Sequence, residues 1–182
     1  VFDSIDEIDQ QAVDILMSGK AKAAFELDRE DKKTREKYGP GWGEQALLCR
    51  RLIQAGARFV SLNTGYWDDH GNLKGALDNK MPRHDRAVGV LIEDLAQRGL
   101  LEETLVVIMG EMGRTPRINY YGGRDHWGDA WSMAFTGCGI KPGVVLGKTN
   151  GLGTEVIDGA VDAGGLFHTI MAAMGLDPKG NY

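Results

Sequence analysis

Long apolar runs are missing from this 182-residue sequence. The longest are strand-length, far short of the ~20 residues that a membrane-spanning helix needs, so no membrane span is expected. An excess of basic residues is missing too. Lys and Arg number 21 against 26 Asp and Glu, giving a net charge of -5, and without a basic footprint nucleic acid is not expected as a partner. Cysteine is scarce: Cys49 and Cys138 lie far apart and outside any CxxC pair, so a zinc-thiolate site is not expected. Both read as buried free thiols, Cys49 on an apolar helix face and Cys138 after a strand-like run. No GxxxxGKS or GxGxxG phosphate loop is present, and no G-x-S-x-G nucleophile elbow. No segment reads as a signal peptide. The chain opens on Val1 rather than Met, so an upstream segment is expected.

What is present has the composition of an ordinary globular domain. Apolar spacing predicts a helix over 4–18, with Ser4 and Glu7 as a capping box, and a short helix over Lys20 to Phe25. Residues 26–37 are a charge run that reads as a solvated helical face, ended by the turn Tyr38-Gly-Pro-Gly41. An amphipathic helix is expected over 43–55, with Ala46, Leu47, Leu48, Leu52 and Ile53 as its stripe. Arg58 to Asn63 reads as a strand, residues 73–83 as a polar connection, and 83–99 as a helix. Leu105 to Met109 reads as a buried strand that stops at Gly110. Trp131 to Thr136 and Val144 to Gly147 are further strand candidates, 148–165 a Gly-rich loop, and 166–174 a last helix. This alternation predicts an α/β fold, a mostly parallel sheet flanked by helices. The whole of 1–182 reads as one domain, with 1–40 as a candidate helical subdomain.

Chemistry-bearing residues gather after two of those strands, where α/β folds place ligands. Asp68-Asp69-His70 combines carboxylate and imidazole, a donor set for zinc or for harder divalent ions. In an extended segment Asp68 and His70 project to a similar side; the same residues also fit a polar loop in which Asp68 caps a turn. Glu111 could ligate a metal or pair with Arg114, Arg117 or Arg124. In Asp125-His126, His126 is the better ligand, and Asp125 a second ligand or its orienting partner. Arg114 and Arg124 suit phosphate or sulfate, or could neutralise Asp125 and Glu111. His84 reads as solvated and His168 as a core or boundary histidine.

The ordered motifs Arg58-Phe-Val-Ser-Leu-Asn, Trp67-Asp68-x-His70-Gly-Asn72, Asp85-Arg-Ala, Gly110-Glu111-x-Gly113-Arg114-Thr-Pro116 and Gly123-Arg124-Asp125-His126-Trp127 resemble the DUF1501 proteins. That family in turn resembles the alkaline phosphatase and sulfatase superfamily. The resemblance implies a partial alkaline phosphatase-like core, with one or two divalent metals held by Asp68, His70, Glu111 and His126. Zn is the expected ion, with Mn, Ca or Mg as alternatives. Met112 stands where the superfamily has a ligating His, and methionine is a poor ligand for hard ions. No N-terminal Gly-Gly-x-x-x-x-Asp segment or nucleophile precedes Ser61, so the chain looks like the C-terminal portion of a longer protein. The implied activity is metal-dependent hydrolysis of phosphate or sulfate esters, the anion held by Arg114 or Arg124. The alternative is a degenerate member acting as a binding or structural component of a surface assembly, a larger complex or a homo-oligomer. By the same resemblance an extracytoplasmic location is expected.

Overall fold

A computed structural model describes residues 19–180 together with Gln10, Val13 and Asp14. The helix expected over 4–18 and its Ser4–Glu7 capping box therefore lie largely outside the described residues. The chain divides into two compact units, Val1–Gly65 with Asn79–Gln97, and Tyr66–Asp78 with Arg98–Tyr182.

The first unit is helical. Helix α1 spans Lys20–Phe25, α2 Lys32–Tyr38 and α3 Trp42–Gln54. Asp31 starts α2 by accepting a hydrogen bond from the Thr34 backbone N–H at 2.8 Å. This satisfies a donor that the first turn would otherwise leave unpaired. The contact also holds the Asp31 carboxyl below its usual range. The expected amphipathic stripe of α3 is observed: Ala46 and Leu47 are buried with Tyr38 and Ala87 in one core cluster, against which Leu27, Trp42, Val90 and Leu91 pack. Ala87, Val90 and Leu91 come from α4, Leu73–Gln97.

Helix α4 begins about ten residues earlier than expected, and it runs through Pro82. Residues 73–83 are therefore helix rather than connection. A proline in a helix interior forfeits one backbone hydrogen bond and costs ~3 kcal/mol or more. Side-chain pairs four residues apart flank the interruption, Lys74 with Asp78 and Arg83 with Asn79, although such pairs supply only a few tenths of a kcal/mol each.

Beneath this helical surface Arg50 is 1 % exposed. Its guanidinium lies 2.6 Å from Glu30 Oε2 and 2.8 Å from Asp94 Oδ2, and it donates to Gln54 Oε1 at 2.7 Å. The two carboxylate contacts are ion pairs whose angles fall outside hydrogen-bond geometry. Tyr38 Oη donates to the same Asp94 oxygen at 3.0 Å, and burial, then the Asp94 charge, pushes the phenol well above its usual range.

The second unit corrects the expected sheet. Strands β1 (Val106–Ile108) and β4 (Ala134–Thr136) pair antiparallel, as do β2 (Gly113–Arg114) with β3 (His126–Trp127), and β5 (Lys148–Thr149) with β6 (Val156–Asp158). Among the described residues these are three separate two-stranded ribbons, with no mostly parallel sheet. A parallel sheet needs several strands buried on both faces. In the first unit Arg58 to Asn63 forms no strand and leaves Phe59 80 % exposed. β1, three residues long and half-buried, takes the later β4 as its partner instead of a preceding strand. Residues 144–147 are exposed coil, whereas the region expected as loop contains the β5–β6 ribbon. The last helix, α5, spans Ala163–Ala173, and Asp162 caps it by accepting from Gly165 N–H at 2.7 Å. His168 on α5 is exposed. Cys49 and Cys138 are free and half-buried.

Candidate metal centre

The ribbon β2–β3 and the segment 68–73 build the site, all within the second unit. In the ribbon Arg114 stands directly opposite His126. The connection between the two strands folds back on itself. Thr115 N–H donates to Asp125 O at 2.9 Å, and Asp125 N–H returns a bond to Thr115 Oγ1 at 3.1 Å. Arg124 Nη1 donates to the carbonyls of Thr115 and Pro116 at 2.7 and 2.9 Å, so this guanidinium braces the turn.

Asn119 ties the turn together. Its Oδ1 accepts from the N–H groups of Tyr121 and Gly123, each at 3.0 Å. Its Nδ2 donates to Asp125 Oδ1 at 2.9 Å and to the His70 carbonyl at 3.0 Å. The turn then zips along 68–73. Arg124 N–H donates to Asp69 O at 3.1 Å, Asn72 N–H to Tyr121 O at 3.0 Å, and Leu73 N–H to Gly122 O at 2.9 Å. Gly123 is buried at this crossing. A Cβ there would overlap the backbone of His70 and Gly71, so only glycine permits the approach. Asn119 was not among the residues singled out from sequence. Its place in Asn-Tyr-Tyr-Gly-Gly was the available signal, since Asn side chains commonly bond the backbone two residues on.

This framework brings Asp68, His70 and His126 together, with one ligand atom from each within 4.8 Å of the others. His126 Nε2 is 2.8 Å and His70 Nδ1 3.2 Å from Asp68 Oδ1, and the two imidazole centroids are 4.9 Å apart. The side chains are about half exposed, 53 % for Asp68, 46 % for His70 and 51 % for His126. Arg114 Nη1 reaches the same Asp68 oxygen at 2.5 Å. Its hydrogen bond, followed by that of His126, holds the Asp68 carboxyl at about 2. In an open site this pair is screened by water and adds little to stability.

Glu111 lies exposed in the bend between β1 and β2 and is not in this group. Asp125 faces Asn119. The gathered donors, two imidazole nitrogens and one carboxylate oxygen, fit a divalent ion such as zinc. Ligand bonds of about 2.0–2.2 Å in tetrahedral geometry set neighbouring ligand atoms ~3.4 Å apart. The Asp68–His126 and Asp68–His70 separations of 2.8 and 3.2 Å need to open by only tenths of an ångström to meet that spacing.

No curated protein and no solved structure matches the chain. A family model described as a protein of unknown function, DUF1501, matches residues 2–182, and the chain belongs to the DUF1501 family.

Proposed function

We propose that the second unit holds one divalent metal ion, zinc first among candidates, through Asp68, His70 and His126. The protein would then serve as part of a metal-dependent hydrolase of phosphate or sulfate esters. The observation that carries this reading is the convergence of the three ligand atoms within 4.8 Å. Three protein ligands leave a coordination position open, the arrangement of catalytic rather than structural zinc sites. A divalent ion bound there would polarise an ester oxygen as a Lewis acid. The chain's own residues orient the site. Asn119 and Gly123 lock the His70 backbone against the turn that precedes His126, and Arg114 brings a fixed positive charge beside the ligands for an oxyanion. Glu111 lies outside the ligand group, which argues for one ion rather than two. The link to the phosphatase and sulfatase superfamily is proposed on this ligand set and not on the fold.

A second reading, a binding or structural component of a larger assembly, is favoured by one observation. Arg114 already neutralises Asp68, as in an ordinary surface ion-pair cluster. Metal analysis of purified protein separates the two. Near-stoichiometric zinc that is lost in Asp68→Ala and His126→Ala supports the metal centre. Protein that stays folded and takes up no metal refutes it.

A further inference from the structure

One carboxylate oxygen, Asp68 Oδ1, accepts from Arg114 Nη1 at 2.5 Å and has His126 Nε2 at 2.8 Å and His70 Nδ1 at 3.2 Å beside it. That oxygen is also the atom that would ligate an ion held with the two imidazoles. The Arg114 backbone is paired with His126 across the β2–β3 ribbon and its side chain is only 22 % exposed, so a guanidinium displaced from Asp68 Oδ1 remains a positive charge beside the site. Arg114 and a metal ion are therefore alternative cations for one oxygen.

We infer that Arg114 is a built-in counter-cation, which fills the electrostatic role of the metal at Asp68 when the site is empty and binds an oxyanion beside the metal when the site is filled. The inference rests on the metal reading above and adds a regulation to it. In the empty site the guanidinium satisfies the Asp68 carboxylate, so metal uptake must break a charge-assisted contact and set a divalent ion beside a fixed positive charge. Both effects weaken metal binding. An oxyanion relieves them. A phosphate or sulfate oxygen can take the open coordination position while its other oxygens accept the released guanidinium, whose planar fork matches that geometry. Metal and oxyanion then bind with positive coupling. By linkage each tightens the other by the same factor, and Arg114 is the residue through which they couple.

The experiment titrates zinc into the full chain under a competing chelator, with and without inorganic phosphate, for wild type, Arg114→Met and Arg114→Lys. Arg114→Met keeps most of the aliphatic stem and removes the charge. Without phosphate it is expected to bind zinc more tightly than wild type by about tenfold, within the ~5–150-fold span of ordinary site coupling. Phosphate is expected to tighten zinc binding in wild type, much less in Arg114→Lys, which keeps a point charge without the fork, and not at all in Arg114→Met. Zinc binding by Arg114→Met alone, with none by wild type with or without phosphate, overturns both the metal centre and the inference. Equal or weaker zinc binding by Arg114→Met, or a phosphate effect that survives the substitution, overturns the inference and leaves the metal centre standing. Absence of zinc binding in all three proteins overturns both. Should Arg114→Met fail to fold, Arg114→Lys decides: a phosphate effect as large as in wild type rejects the role of the guanidinium fork, and a clearly reduced one upholds it.

Discussion

Replacing Gly123 by Ala tests how the ligands are brought together. A Cβ at this position falls well inside the 3.0 Å that real Cβ atoms essentially never show, and it meets backbone atoms of His70 and Gly71 rather than a flexible side chain. Carbon atoms pack at about 3.5–4.0 Å, so relief requires the two segments to part by roughly an ångström or more. That movement breaks the Arg124–Asp69, Asn72–Tyr121 and Leu73–Gly122 backbone hydrogen bonds. At ~1 kcal/mol net for each, the expected loss is ~3 kcal/mol, in line with the ~1–3 kcal/mol typical of overpacking. The effect on the site is larger than on the fold, because metal ligands must sit within about 0.2 Å of their ideal distances. A fall in zinc affinity of at least about 10–100-fold is expected, the scale seen when residues supporting the ligands are lost. Chelator-competition titration reads the affinity and thermal melting reads the stability. Gly128→Ala is the control, since a Cβ there meets nothing within 4 Å. Wild-type zinc affinity and melting temperature in Gly123→Ala would show that close approach at this glycine does not assemble the centre.

Other outcomes follow from the helical unit. Arg50→Ala takes the guanidinium from buried Asp94, while Glu30 keeps Arg51, and should cost about 3–5 kcal/mol in urea denaturation; a cost under about 1 kcal/mol, the scale of an exposed pair, contradicts the buried network. Gly89→Ala, inside α4 with nothing within 4 Å of the new Cβ, should stabilise by about 0.5–1 kcal/mol, read as a rise in melting temperature. Tyr38 has its phenol raised by burial and by Asp94 above the ordinary value of 10.0. The folded chain therefore keeps a proton that the unfolded chain releases, and stability falls as the pH rises through and above 10. Tyr38→Phe should remove that part of the alkaline slope in pH-dependent denaturation, and an unchanged slope counts against the burial argument.

The sequence carried the helical unit well because apolar spacing on α3 reports directly on which face is buried. Ala46 and Leu47 sit in the core as that spacing requires. It missed the first turns of α4, although Leu73, Ala76, Leu77 and Met81 recur at helical spacing, because the intervening polar residues and Pro82 argue for a break. Strand content was legible only in part. Val106 to Ile108 and Ala134 to Thr136 are strands, but periodicity does not encode the direction of pairing, and the two meet antiparallel. Asp68, His70 and His126 were legible from donor chemistry, yet their convergence depends on Asn119 and Gly123. The roles of those two residues are hydrogen bonding across 49 residues of chain and a close backbone approach. Neither leaves a periodic trace. The Arg114 contact with Asp68 likewise spans 46 residues and cannot be read from local spacing.

Zinc titration by calorimetry on the full chain asks whether Asp68, His70 and His126 form one metal centre. About one zinc per chain is expected, with binding abolished in His126→Ala and in Asp68→Ala while far-ultraviolet circular dichroism stays that of the folded protein. Folded wild-type protein that binds no zinc, or binds it equally well without His126, would contradict it.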